Sequence, residues 1–85
     1  MECYVYVLKS EKRNYLYVGL SYDPSKRIAQ HNEGKEKTTR PYRPFTLIHL
    51  EKCMDRPNAR IREKFWKSGT GKAILKDKLQ NNGGQ

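Results

Sequence analysis

Cysteine is scarce in this chain. There are two, Cys3 and Cys53, with no CxxC spacing and no Cys/His cluster around either. A zinc site needs about four ligands, so one is excluded, and both cysteines are read as buried free thiols. Long apolar runs are missing too. The N-terminal stretch from Tyr4 to Leu8 is followed at once by Lys9, Glu11, Lys12 and Arg13, too short for a signal peptide or a membrane span. The expected setting is cytoplasmic, in association with the nucleoid, and no membrane partner is expected. Leu, Ile, Val and Phe make up under a fifth of the chain, close to the composition at which strongly charged chains stay unfolded. Six tyrosines and the clustering of the apolar residues offset that deficit. A folded domain with a thin core follows. With 85 residues there is room for one domain only.

Acidic residues are the remaining shortage. Nine Asp and Glu face eighteen Lys and Arg, which leaves a formal charge of +9 and a pI near 9.8. Such a field favours polyanionic partners and speeds encounters with them, which puts nucleic acid first among partner classes.

What is present falls into short segments. Residues 3–9 and 15–20 are rich in β-branched and aromatic types and flank a polar, hairpin-sized turn. Asp23-Pro24 supplies an N-cap and a first-turn proline, predicting a helix that runs to about Asn32 and stops before Gly34. A basic loop carrying Lys35, Lys37, Arg40 and Arg43 leads to a third strand at 45–51. Asp55-Arg56-Pro57 opens a second helix by the same logic, ending near Ser68. The stretch from Ser68 to Gly71 reads as a break before a short third helix, Lys72 to Gln80. The order ββαβαα predicts a small α/β (α+β) domain over residues 1–80, with a short, mainly antiparallel three-stranded sheet flanked by helices. Residues 81–85 are expected to form a disordered tail.

Alternation along the two hairpin strands sorts their side chains. Cys3, Val5, Val7, Leu16, Val18 and Leu20 share one face, and Tyr4, Tyr6, Leu8, Tyr15, Tyr17 and Gly19 share the other. The first face suits a helix. The second is a tyrosine face, which by itself reads equally as a packing layer with hydroxyls reaching solvent. In the first helix Arg27 and His31 are four apart and stack beside the apolar edge made by Pro24 and Ile28. In the second helix the apolar stripe is Ala59, Ile61, Phe65 and Trp66. Glu63 falls at its edge, the one mid-helix acid placed for partial desolvation, although a Glu63–Lys67 surface pair is the simpler account.

These residues together resemble a known family. Tyr4-Val5-Tyr6, ten intervening residues, then Tyr17-Val18-Gly19, is similar to the signature of the GIY-YIG nucleases. Arg27, His31 and Glu63 follow at the family's further positions, in order. The resemblance covers roughly residues 3–75 and is closest to short, stand-alone bacterial members related to the nuclease module of the bacterial excision-repair excinuclease. Tyr4 stands where the motif has its first glycine, Val5 and Val18 where it has isoleucines, and Leu20 where some members carry lysine. The asparagine that excision-repair members carry beyond the glutamate has no clear counterpart.

The resemblance implies a metal-dependent endonuclease that hydrolyses DNA phosphodiester bonds, structure-selective and serving DNA repair or recombination. It implies Glu63 as the single carboxylate ligand of Mg²⁺ or Mn²⁺, Arg27 as the group neutralising phosphate charge, and His31 as a holder of the water network. Tyr6 or Tyr17 would position or deprotonate the attacking water, with Tyr6 favoured as the base and Tyr17 as its hydrogen-bonding partner. A tyrosine of ordinary pKa costs roughly 4 kcal/mol to ionise at pH 7. Arg40, Arg43 and Lys67 are the expected nucleic-acid contacts, and a partner protein supplying specificity suits so small a domain. The alternative is a non-catalytic nucleic-acid-binding module using the basic loop and the basic stretch from Arg60 to Lys78.

Overall fold

The computed structural model describes residues 1–83. Strands β1 (Cys3–Ser10), β2 (Leu16–Ser21) and β3 (Phe45–Cys53) form one sheet in the order β2-β1-β3, and both pairings are antiparallel. Helix α1 (Pro24–Glu33) and a 3₁₀ turn (Arg40–Tyr42) lie between β2 and β3, and α2 (Arg56–Lys67) and α3 (Gly69–Gly83) follow β3. This is the α+β sheet-and-helix fold expected from the element order.

The local signals act as read. Asp23 Oδ1 accepts from the Lys26 amide, and Asp55 Oδ1 accepts from that of Asn58, so both helices start on an aspartate cap followed by proline. In the hairpin turn the buried Ser10 hydroxyl oxygen accepts from the amides of Lys12 and Arg13. β1 is the central strand, which explains why it is the most apolar: it is covered on both faces and paired on both edges.

The two faces separate two layers. Cys3, Val5, Val7 and Val18 pack with Cys53, Ala59, Trp66 and Leu75 under α2 and α3. Tyr6, Leu8 and Phe45 pack with Tyr15, Tyr17, Ile28 and Tyr42 on the α1 side. Cys3 and Cys53 face each other across β1 and β3 as buried free thiols.

Three expectations are corrected. The break between the last two helices is narrower than Ser68 to Gly71, because α3 starts at Gly69 directly after Ser68 caps α2. The helix then runs on to Gly83, past the end expected at Gln80, and residues 84–85 of the expected tail lie outside the described residues. Ile61 is not in the buried stripe of α2. It is 65% exposed, and Ala59, Glu63 and Trp66 form the covered face instead. Periodicity misled here because the helix buries its polar Glu63 and leaves an isoleucine in solvent.

Candidate active site

Tyr6 stands at the middle of β1, opposite Gly19 of β2. A Cβ at residue 19 would lie 2.6 Å from the Tyr6 ring and hydroxyl and 2.9 Å from the Tyr17 ring. Only glycine lets the two tyrosines close over the strand. Their ring centroids are 6.2 Å apart.

Helix α1 brings His31 onto the same spot. Its Nε2 is 3.2 Å from the Tyr6 hydroxyl, and its Nδ1 is 2.9 Å from the hydroxyl of Thr39, which the returning basic loop supplies. The Tyr17 ring packs at 4.6 Å from the imidazole. His31 is fully buried, whereas a position at the edge of the apolar stripe is what its helical angle alone predicts. The loop that carries Thr39 is what covers it. Burial and the neighbouring Arg27 charge hold the His31 pKa below its ordinary value, so the ring is neutral at pH 7. A neutral imidazole donates from one nitrogen and accepts at the other.

Arg27 lies one turn before His31. It donates to Gln30 Oε1 at 2.8 Å and to Glu36 Oε1 at 3.2 Å, and it also interacts with the Tyr6 hydroxyl. Burial, followed by the Tyr17 hydroxyl, pushes the Tyr6 pKa up to about 12 against the opposing pull of Arg27. Ionising Tyr6 at pH 7 in this state costs about 7 kcal/mol, at roughly 1.36 kcal/mol per pH unit. The environment therefore does not create a standing phenolate. It creates a phenol in contact with a neutral base.

Glu63 is set apart from this cluster. It is buried on α2 at 6% exposure, with Arg60 on one carboxylate oxygen at 3.0 Å and Lys67 on the other at 3.1 Å. The Glu63–Lys67 pair is thus present, but its acid is buried and carries a second cation. Lys67 also lines an open hollow with Tyr17, which links the carboxylate to the tyrosine face. Arg40 and Arg43 are turned back on their own loop, donating to the carbonyls of Gly34 and Arg40.

Sequence reasoning missed Thr39 and Glu36, and it missed Arg60 as a partner of Glu63. Arg60 was legible from its spacing of three to Glu63. Thr39 and Glu36 had no local signal, since only the path of the loop sets them against α1.

The family model for the GIY-YIG catalytic domain matches residues 2–78. The chain belongs to the GIY-YIG family. It is 34% identical to a UPF0213 protein of Streptococcus sanguinis over 94% of this chain and 95% of that one. It is 41% identical to a UPF0213 protein of Staphylococcus haemolyticus over 71% of this chain and 73% of that one. A UPF0213 protein of Syntrophus aciditrophicus is 42% identical, but the match spans 56% of each chain. Among solved structures, a UPF0213 protein from Bacillus halodurans superposes with a TM-score of 0.55 at 31% identity, covering 91% of this chain and 84% of that one. The GIY-YIG domain is a nuclease-type catalytic domain, and the matched residues include Tyr6, Tyr17, Arg27, His31 and Glu63. Among the described residues, no helix is long and apolar enough to cross a membrane.

Proposed function

We propose that this GIY-YIG domain is a divalent-metal-dependent endonuclease that hydrolyses DNA phosphodiester bonds. The observation carrying the reading is the buried contact of the Tyr6 hydroxyl with a neutral His31 whose other nitrogen is engaged by Thr39. This contact sets a proton acceptor on the Tyr6 hydroxyl. Tyr6 takes a proton from the attacking water as its own phenolic proton passes to His31 Nε2, while Nδ1–H donates to Thr39. The raised Tyr6 pKa fits this concerted transfer, because the phenol never has to stand ionised. Arg27 neutralises the charge developing on the non-bridging phosphate oxygens, and Tyr17 orients the water.

The donor set limits how a metal could be held. Among the described residues no three His, Cys, Asp or Glu side chains converge, so a protein cage does not fit. Attachment through one carboxylate does fit, with waters and phosphate oxygens completing the shell, as is common for Mg²⁺. Glu63 is the residue that would hold Mg²⁺ or Mn²⁺, exchanging Arg60 or Lys67 from one oxygen. The ion would supply stabilisation of the leaving 3′ oxygen. Branched or flapped DNA, a role in repair or recombination, nucleoid association and a specificity-giving partner protein complete the proposal.

The test is single-turnover cleavage of a labelled flap DNA with Mg²⁺ or Mn²⁺, by the parent and by Glu63→Gln. The parent should cut, and the variant should lose at least about 10²-fold in rate with DNA affinity unchanged. Binding without cleavage by the parent would make the domain a non-catalytic nucleic-acid module. Cleavage by the variant within a few-fold of the parent would remove Glu63 from the metal site.

A further inference from the structure

β2 is paired to β1 on one side, and its other edge is open. Along that edge run two adjoining hollows of about 170 and 310 Å³ that share Tyr15, Leu16 and Lys72. Tyr17 and Lys67 of the candidate active site line one of them, and Asn14 and Lys76 line the other. The hollows thus make a single groove with three lysines and no acid in its lining. Lys72 and Lys76 lie one turn apart on α3, about 6 Å along the axis. Both are exposed and take part in no ion pair among the described residues. Tyr15 is braced from behind. Its ring stacks on Tyr42 with centroids 3.9 Å apart and planes 8° from parallel, and Arg13 sits 5.9 Å from the Tyr42 ring centre.

A row of ammonium groups beside a rigid, part-exposed aromatic ring is the chemistry that holds a nucleic-acid strand, phosphates on the cations and a base against the ring. A single strand, with its bases unpaired, can lay its phosphates along the lysines and a base face against the ring, which the paired bases of a duplex cannot do. An extended peptide could also add to an open strand edge, but such pairing runs through backbone groups and has no need of three lysines. We propose that this groove binds one nucleic-acid strand and leads it from Tyr17 and Lys67 past Tyr15 to Lys72 and Lys76. The direction of travel rests on the nuclease reading of the site; occupation of the groove does not.

The experiment is binding of a fluorescent single-stranded oligonucleotide in the presence of EDTA, so that no cleavage intervenes. Lys72→Gln/Lys76→Gln should bind about 10-fold more weakly, with a log K against log salt slope shallower by about 1.4, at roughly 0.7 per lost phosphate contact. Lys52→Gln/Lys64→Gln lowers the net charge equally outside the groove and should stay near the parent. Ultraviolet cross-linking of a bromodeoxyuridine-containing strand should place the adduct on Tyr15. Equal losses in the two double variants, or adducts confined to the 35–43 loop, would overturn the proposal. It also falls if an extended acidic peptide shifts the 14–18 backbone amide resonances while the oligonucleotide does not. Lysine-dependent binding by a parent that cannot cut would sink the nuclease reading alone. Cleavage that persists with lysine-independent binding would sink the groove alone.

Discussion

At the scale of single residues, one hydroxyl separates chemistry from packing. Tyr6→Phe keeps the ring that fills the layer between β1 and α1 and removes only the hydroxyl, with its contacts to His31 and Arg27. It should lower the single-turnover rate by about 10²-fold or more, in the range of lost acid–base catalysis. The stability cost should be on the order of 1–2 kcal/mol, a lost hydrogen bond with its buried partner left unpaired. Tyr4→Phe alters the variable motif position and should be nearly silent, which melting curves and rates measured side by side will show. The same environment sets an alkaline limit. The Tyr6 pKa is raised from 10 to about 12 on folding, so the stability tied to its buried phenol is complete below pH 10. It is lost as pH climbs through about 12. Tyr6, Tyr17, Arg27, His31 and Glu63 were legible as candidates because motif spacing is a one-dimensional property. Thr39 was not, because a hydroxyl in a polar loop has no periodicity to mark it.

Between elements, one junction holds the helical layer together and another ties it to the sheet. The first is the α2–α3 corner at Ser68. A Cβ on Gly71 would meet the Phe65 carbonyl oxygen at 2.2 Å and the Trp66 Cα at 2.7 Å, and neither backbone atom can yield cheaply. Gly71→Ala should cost about 2–3 kcal/mol, as overpacking does, with a visible fall in Tm. Gly69→Ala meets nothing within 4 Å and should leave Tm unchanged or slightly higher. The second junction ties β3 to α2. Glu51 accepts from Arg62, from Trp66 Nε1 at 3.1 Å and from His49 at 3.0 Å. The Arg62 hydrogen bonds lead in lowering its pKa from 4.5 to about 2. A depressed carboxylate stabilises the fold above its unfolded pKa, so this contribution is whole above pH 4.5 and lost as pH falls towards 2. It is on the order of 2–3 kcal/mol. Urea unfolding at pH 6 and pH 2.5 should show that loss in the parent and a much smaller pH effect in Glu51→Gln. Helix starts were readable from aspartate and proline, whereas this network joins residues 49, 51, 62 and 66 across two elements and leaves no local trace.

For the molecule as a whole, charge is the dominant property. With +9 spread over 85 residues, binding to duplex DNA should be strongly salt-dependent. If about five phosphates are neutralised, log K against log salt should slope near −4 to −5 in a titration from low to moderate salt. A flat response would mean that the charge serves solubility and not DNA. The amino-acid sequence by itself determined the net charge, the strand and helix order, and the division of the hairpin into an aliphatic and a tyrosine face. All of these follow from composition, caps and alternation over a few neighbouring residues. Only the tertiary structure decided that His31 is buried against Tyr6 and Thr39, that Glu63 lies between Arg60 and Lys67, and that Ile61 is left in solvent. It alone brought Lys72 and Lys76 of α3 alongside the free edge of β2. Such placements depend on which loop returns over which helix. Contacts between residues far apart in the chain are set by packing the layers together, and no local pattern encodes them.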